Sequence, residues 1–417
     1  MPKLLLLLIL SSSFVFALTL DEAIKRANHN NPLIKEQNYN YHASQANKQS
    51  VASSFLPSLD LAYSYDSYSI ANFVGQSASS SASSTLSYNL FNGFKDSATL
   101  QSAKTKILSQ EHQKKAALED LKLRVTLSYI NYIRSVKEIE IAQDSYKLLQ
   151  IQYKDAKIFQ QQGIFAKNEA LQVHVELLLT KQLLLQAKQK VYIARVTLKR
   201  EMGGLLDDDE VLEVLKPRFK NLNYNTLENK MYENRSELKV LDAQRLDLQY
   251  QREALIGGYL PAVDVKLKYQ VAGNDIIPKG GESFLRNDEK SVGISMSWNL
   301  YEGGKSKEDR TKLFQQGLAS EQKIENMKLQ LNLQLLQTVE SLKLSRSQIE
   351  VAGLSLEQAR ENFRIVNEQF KFNIASSFVL LEAQKLLTRA KVSYHNAYFL
   401  SYEFMAKLER IIEKKLF

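Results

Sequence analysis

The chain carries the same pattern twice, about 210 residues apart, and this internal duplication limits the possible folds more than any other feature. The segment from Ser87 to Lys95 (SYNLFNGFK) is matched by Ser297 to Lys305 (SWNLYEGGK). Upstream, Phe55 to Asp66 (FLPSLDLAYSYD) is matched by Tyr259 to Gln270 (YLPAVDVKLKYQ). The unit is too long for a solenoid repeat. We therefore expect two copies of a half-molecule, each with two short strands and four helical segments.

The first residues have the composition of an export signal. Lys3 provides a positive charge, Leu4 to Leu10 form an apolar run, and Val15-Phe16-Ala17 resembles a cleavage site with small residues. We predict a signal peptide over residues 1–17, a first repeat over 18–203, a linker over 204–225 and a second repeat over 226–417. The chain has no cysteine, which excludes disulfides, thiol catalysis and thiolate metal sites.

Long stretches without helix breakers predict unusually long helices. Neither Gly nor Pro occurs from Phe94 to Gln162, or from Ile164 to Met202. A continuous helix over the first stretch would be roughly 100 Å long at 1.5 Å per residue. Its apolar residues form two neighbouring stripes, which is typical of a helix with a partner on each side. A filled helical bundle and the wall of a tube both satisfy this pattern. The net charge of +9 is spread along these helices, so we expect no nucleic-acid partner.

Alternating apolar and polar residues predict four strands of about 9–11 residues with aromatic residues in the apolar rows. A serine-rich stretch that includes Gln76 to Ser81 is expected to be the loop between the first two. Four strands cannot close a barrel, because closure around a lumen needs about eight. The strands either form a small soluble sandwich or combine with those of two further copies in a barrel of twelve. In the second case the lipid-facing residues are Leu86, Tyr88, Leu90, Ile294, Met296 and Trp298.

The whole mature sequence resembles the TolC family of bacterial outer-membrane efflux proteins. The opening LTLDEAIKRANHNNPL, from Leu18 to Leu33, is similar to the start of family members, as are the Leu-Pro before each first strand and the aromatic-Gly turn after each second strand. The resemblance implies a mainly α fold with a transmembrane β-barrel: a homotrimer with a 12-stranded barrel, four strands per chain, that continues into a long coiled-coil α-helical barrel. It implies an outer-membrane location, a large periplasmic extension, a periplasmic adaptor (membrane fusion protein) and an inner-membrane RND or ABC transporter as partners.

The resemblance also assigns roles to particular residues. Two helix-to-helix turns would be the periplasmic tips that contact the adaptor, with exposed Ile164 and Phe165 as an apolar anchor; the tip residues are Gly163, Ile164, Phe165, Ala166, Asn373, Ile374, Ala375 and Ser376. Val379 and Glu382 match two acidic positions of the family's entrance constriction, so one acid is missing. Glu169, Phe370 and Ala375 match a latch that holds the entrance closed in family members, and Lys371 is a candidate substitute for its missing donors.

Other chemistries find little support in the sequence. Glu302-Gly303-Gly304-Lys305-Ser306 imitates a phosphate-binding loop, but Asn299 replaces its first glycine. The five histidines have no metal-ligand spacing, and no nucleophile with a neighbouring base can be assigned, so we expect neither a metal, a cofactor nor catalysis. The expected function is an outer-membrane exit duct of a tripartite efflux or type I secretion system. The alternatives are the outer-membrane component of a metal-cation efflux system and a coiled-coil surface protein without a transport function.

Overall fold

The computed structural model forms two compact units, and neither of them coincides with one sequence repeat. The helical unit comprises Met1–Glu36, Lys115–Arg235 and Leu329–Phe417, and the sheet unit comprises Gln37–Lys114 and Ser236–Lys328. The predicted signal peptide, except Ala17, and most of the predicted linker lie outside the described residues. The structure describes residues 17–70, 77–204, 206, 210–213, 215, 223–279 and 288–416.

The order of elements is the same in both halves of the chain, as a duplicated half-molecule requires. Two helices are followed by two strands and then by two long helices. The first set is α1 (Leu20–Asn30), α2 (Pro32–Ala52), β1 (Ser58–Ser67), β2 (Ala78–Asn92), α3 (Lys95–Gln161) and α4 (Lys167–Glu201). The second set is α5 (Tyr224–Asn234), α6 (Ser236–Ala254), β3 (Ala262–Gly273), β4 (Asp288–Ser297), α7 (Lys305–Lys371) and α8 (Ser377–Ile412). Short 3-10 turns precede β1 and β3.

The helices α3 and α7 each have 67 residues. For α3 this confirms the length predicted from the missing helix breakers, whereas α7 contains Gly317 and Gly353 and was expected only as the counterpart of α3 in the second repeat. Both start directly after a pair of residues with positive φ: Gly93 and Phe94 before α3, and Gly303 and Gly304 before α7. The segment that imitates a phosphate-binding loop is therefore a strand-to-helix turn, in which the hydroxyl of Ser306 donates to the carboxylate of Glu302. Among the described residues, no helix is both long and apolar enough to cross a membrane.

The four strands form one antiparallel sheet in the order β1-β2-β3-β4. The predicted serine-rich loop is wrong over most of its length, because β2 starts at Ala78 and includes the serines up to Ser84. Serine has little intrinsic preference for strands, but this segment pairs with a strand on each side. Ser84, for example, pairs with Leu61 of β1 and with Tyr269 of β3. Backbone pairing with two neighbours outweighs the weak local preference.

The core of the helical unit surrounds the start of α1 and the middle of α3. Leu121, Val125 and Tyr129 of α3 are fully buried there together with Ala23 and Ala27 of α1. The hydroxyl of Tyr129 donates to the backbone carbonyls of Leu18 at 2.8 Å and Glu213 at 3.0 Å. Burial raises the pKa of Tyr129, so this hydroxyl stays protonated and able to donate.

Candidate functional site

One face of the sheet carries a continuous apolar band. The register aligns Leu59 of β1 with Leu86 of β2, Leu86 with Leu267 of β3, and Leu267 with Val292 of β4. The next rows along the strands include Tyr88, Ile294 and Met296 on the same face. Ile294 is 73% exposed and Met296 68%, although both are large and apolar. Exposed apolar side chains in contiguous rows are typical of a surface that another apolar phase or protein covers.

A bulge in β2 falls at Leu90, one of the residues predicted to face lipid. The pairing passes from Asn89↔Asp264 directly to Phe91↔Val263, so Leu90 is an inserted residue without a partner on β3. A bulge of this kind places two residues opposite one and reverses the alternation beyond it. Phe91, and not Leu90, therefore continues the apolar row opposite Val263.

The prediction of Trp298 as a strand residue is also wrong, because β4 ends at Ser297. Its last partner is Ala262, the first residue of β3, and Pro261 before it has no N–H to continue the ladder. The indole N–H of Trp298 instead donates to the carbonyl of Tyr259 at 3.2 Å. Trp298 is 55% exposed and lies just beyond the apolar band.

The opposite face of the sheet is polar. It carries serines and Thr85 from β2, and the charged residues Asp60, Asp264, Lys266, Lys268 and Glu289. Asp264 accepts a hydrogen bond of 2.8 Å from the side-chain amide of Asn89, so a cross-strand pair on this face is satisfied without water. One apolar and one polar face are the pattern of a sheet that separates lipid from water.

Among the described residues, the two edge strands of the sheet, β1 and β4, each have one side without a strand partner. In the described part of the chain, β1 pairs only with β2, and β4 pairs only with β3. Each strand has ten residues, so two long rows of backbone N–H and C=O groups have no strand partner. Long open edges of this kind are a template for pairing with another chain.

The two predicted tips have the same backbone geometry. At the first, Gly163 has φ +75°, its N–H donates to the carbonyl of Gln160 at 3.1 Å, and the N–H of Ile164 donates to Phe159 at 2.9 Å. At the second, Asn373 has φ +59° and Ile374 makes the equivalent bond to Gln369 at 2.8 Å. Both are Schellman caps, in which a left-handed residue closes the helix. Glycine and asparagine tolerate this conformation, which explains the two residue types.

The apolar exposure of the tips differs from the prediction. Phe165 is not exposed: its ring centroid lies 5.1 Å from that of Phe159 and 5.7 Å from that of Phe370. This cluster of three rings also buries Phe370 and packs against Ala375. The sequence could not distinguish an exposed aromatic residue at a turn from one that packs between two helix pairs. Ile164 is exposed as predicted, at 49%, and further exposed apolar side chains at the turns include Ile374 at 75% and Phe372 at 73%.

The start of α8 holds the two predicted constriction positions. Val379 is 43% exposed, and Glu382 lies three residues further on the same side of the helix. The ammonium of Lys385 is 3.5 Å from the carboxylate of Glu382 and 3.1 Å from that of Glu176 on α4. The hydrogen bond to Glu176 raises the pKa of Lys385. Partial burial lowers this pKa, but the charges of both carboxylates raise it further, and the net effect is an increase. Sequence reasoning missed both Lys385 and Glu176.

The predicted latch residues have other partners within the chain. Glu169 accepts a hydrogen bond of 3.0 Å from the hydroxyl of Ser377 at the start of α8. Lys371 forms an ion pair of 2.9 Å with Glu368, one turn earlier on α7. Phe370 is 97% buried by the neighbouring rings, with 3% of its surface exposed. A contact from α4 to α8 therefore exists at this end of the helices, but it runs through Ser377, which the sequence did not indicate.

Two helices of the helical unit present apolar stripes that no described residue covers. On both helices the exposed residues recur at intervals of three, four, seven or eight, which keeps them on one side. Those of α4 are Leu171, Val175, Leu178, Leu185, Tyr192 and Val196, and those of α7 are Leu329, Leu336, Leu344, Val351 and Leu354. Such stripes form the seams of coiled coils, so each helix can pack against a further helix.

In the described residues, no group of three or more His, Asp or Glu side chains is arranged to hold a metal ion. The predicted linker contains an acidic run from Asp207 to Glu210, of which only Glu210 is among the described residues. Its carboxylate pairs with Arg26 of α1 at 2.9 Å.

The comparison with known protein families shows the family to which the chain belongs. A family described as "Outer membrane efflux protein" matches residues 23–204 and 227–398. The chain belongs to the outer membrane efflux protein family. This membership confirms the resemblance to TolC-like proteins, the outer-membrane location and the periplasmic extension expected from the sequence. No curated protein is significantly similar to the chain.

Solved structures of outer-membrane proteins share the fold of this efflux family member. The CmeC outer membrane channel of Campylobacter jejuni superposes with a TM-score of 0.83 at 16% identity, over 94% of this chain and 85% of CmeC. The outer membrane protein VceC of Vibrio cholerae gives 0.79 at 13% identity, over 95% and 96%. The open state of the MtrE channel of Neisseria gonorrhoeae gives 0.77 at 15% identity, over 95% and 89%. The likeness confirms the combination of long helices with four strands per chain.

Proposed function

We propose that three copies of the chain form a passive exit duct of a tripartite efflux or type I secretion system, through which substrates cross the periplasm and the outer membrane. The observation that carries this proposal is the four-stranded sheet, with one exposed apolar face, one polar face and two open edges. Pairing of β4 in one copy with β1 in the next closes a barrel of about twelve strands, above the minimum of about eight. The apolar face then meets lipid and the polar face lines the lumen.

The helical unit supports the same assembly. The exposed stripes of α4 and α7 occur in every copy, and a closed ring buries each stripe against a neighbouring copy. The stripes are long, from Leu171 to Val196 and from Leu329 to Leu354, so their burial adds a large apolar area to the strand pairing. The ring of helices forms the wall of the periplasmic duct.

The exposed residues at the two helix-to-helix turns indicate which partner binds the duct. Ile164, Ile374 and Phe372 are exposed apolar residues at turns, where a periplasmic adaptor can bury them as anchors. The adaptor connects the duct to an inner-membrane RND or ABC transporter. That transporter supplies the energy, since the duct itself carries out no chemical step.

Tip variants test the contact with the adaptor. We expect Ile374→Asp to abolish export in cells, because a carboxylate in an apolar contact is desolvated without a partner. The readout is the minimum inhibitory concentration of exported compounds in a strain that lacks the native gene, together with crosslinking to the adaptor. Ile276→Asp is the matched control: Ile276 is also exposed, at 61% against 75%, but it follows β3 in the sheet unit. Equal effects of both variants, or full export by Ile374→Asp, would contradict the assigned contact.

A further inference from the structure

Lys385 of α8 lies between two carboxylates from two different helices. Its ammonium is 3.1 Å from Glu176 of α4 and 3.5 Å from Glu382 of α8. Glu176 is the more protected partner, with 20% of its side chain exposed against 54% for Glu382. The lysine therefore has a tighter partner on α4 and a looser, solvent-accessible partner on its own helix.

Two members of this triad border an open groove. Glu176, Lys385 and Arg389 line a groove of about 1430 Å³ in the helical unit, bordered by α3, α4, α7 and α8. Nearby, Ser377 donates to Glu169, which is a second polar link from α8 to α4. The two links keep the start of α8 beside α4, so the position of Lys385 relative to Glu382 is defined by α4 as well as by α8.

We propose that Lys385 determines the charge selectivity of the duct entrance by partly neutralising Glu382, and that Glu176 controls how much of its charge is available. This inference rests on the proposed function and on the match of Glu382 to the entrance constriction of the family, by which its carboxylate faces the lumen of the trimer. Glu176, Lys385 and Glu382 together carry a charge of −1 per copy. Because the lysine prefers Glu176, Glu382 keeps part of its attraction for cations.

Single substitutions change this charge in opposite directions. Lys385→Met removes the cation but keeps the length and helix preference of the side chain, and it leaves two unpaired carboxylates. Glu382→Gln removes the lumen carboxylate. Glu176→Gln leaves the lysine only one carboxylate, so its ammonium moves to Glu382 and neutralises it. The effect of Glu176→Gln distinguishes this inference from a simple lumen carboxylate, because the residue acts only through Lys385.

The experiment measures block of single channels in planar bilayers by hexaamminecobalt(III), added on the side of the helical tips. An unneutralised charge about 7 Å from a trivalent ion changes its binding by about tenfold even in a water-like dielectric. We expect the half-blocking concentration to fall about tenfold or more in Lys385→Met and to rise about tenfold or more in both Glu382→Gln and Glu176→Gln. The double variant Glu176→Gln with Lys385→Met should be blocked at least as well as the wild type.

Two control variants make the result specific. Lys343→Met removes a lysine that forms an ion pair of 2.7 Å with Glu340, three residues earlier on α7, and should leave block unchanged. Lys385→Arg keeps the charge and should retain block within about threefold of the wild type. Unchanged block in Lys385→Met would overturn the inference. So would a result in which Glu382→Gln loses block while Glu176→Gln keeps it. Wild-type protein that forms no channels would overturn the proposed function itself.

Discussion

The two faces of the sheet predict opposite responses to a lysine at neighbouring positions. Ile294 and Ser295 are adjacent residues of β4, so they share the same strand, depth and edge and differ only in the face that carries the side chain. Ile294 lies opposite Val265 in the middle of the apolar band, between Val292 and Met296. Ser295 lies opposite Asp264 on the polar face. We predict that Ile294→Lys destabilises the inserted protein and that Ser295→Lys does not.

The magnitude follows from the environment of each position. A lysine on the lipid face costs about 2–4 kcal/mol at the bilayer midplane and about 0–1 near its surfaces. The apolar rows from Val292 to Met296 cover about 13 Å along the strand at roughly 3.3 Å per residue, so Ile294 is several ångströms from either end of these rows. Its lysine therefore costs at least about 2 kcal/mol. On the polar face, a lysine opposite Asp264 gains roughly 0.2–1 kcal/mol from an opposite-charge pair.

Urea titration of the protein in lipid vesicles measures both effects, with the folded fraction read from heat-modifiable migration on a gel. The expected order of midpoints is Ile294→Lys below wild type, and Ser295→Lys equal to or above it. The variant Ile294→Val, which keeps an apolar side chain, controls for local packing and should change stability by less than about 1.5 kcal/mol. Equal destabilisation by the two lysines would show that the sheet does not separate lipid from water in this register.

Two further predictions concern the stability of the fold outside the strands. Tyr129→Phe removes the hydroxyl that bonds the carbonyls of Leu18 and Glu213. Because the carbonyl of Leu18 also accepts from the N–H of Glu213, the free energy of unfolding should fall by only about 0.5–1.5 kcal/mol, measured by chemical denaturation in detergent. Gly93→Ala should prevent correct folding, because a Cβ at φ +69° would lie 2.7 Å from the backbone of Gly257. Its control, Gly163→Ala, has φ +75° but open space around it and should cost only about 1 kcal/mol, as judged by the yield of heat-modifiable trimer.

Much of the fold could be predicted because its elements depend on local signals. The missing helix breakers predicted α3, the duplication predicted α7 as its counterpart, and the alternation predicted which residues of β3 share a face. Non-local pairing explains the failures. The serine-rich part of β2 becomes a strand only because it has a partner on each side, and the bulge at Leu90 depends on the register with β3. Neither feature has a signal in its own residues.

For the candidate site, the sequence predicted the backbone conformation of the turns but not the contacts of the side chains. The left-handed turns at Gly163 and Asn373 follow from residue type and from the offset between the repeats. The side-chain contacts depend on how α4 and α8 pack, so the sequence did not indicate that Lys385 reaches Glu176, or that Phe165 is covered by Phe159. A lysine three residues after a glutamate on one helix was the only available signal, and such spacing is common on exposed helices.

The central claim is that the open sheet closes only between copies of the chain, and the mass of the conducting species tests it most directly. Native mass spectrometry of the detergent-extracted protein, combined with bilayer recordings of the same fractions, should find channels only in the trimer. Monomeric fractions should not conduct, because four strands cannot enclose a lumen. A stable monomer that forms channels, or a conducting assembly with a copy number other than three, would contradict the account.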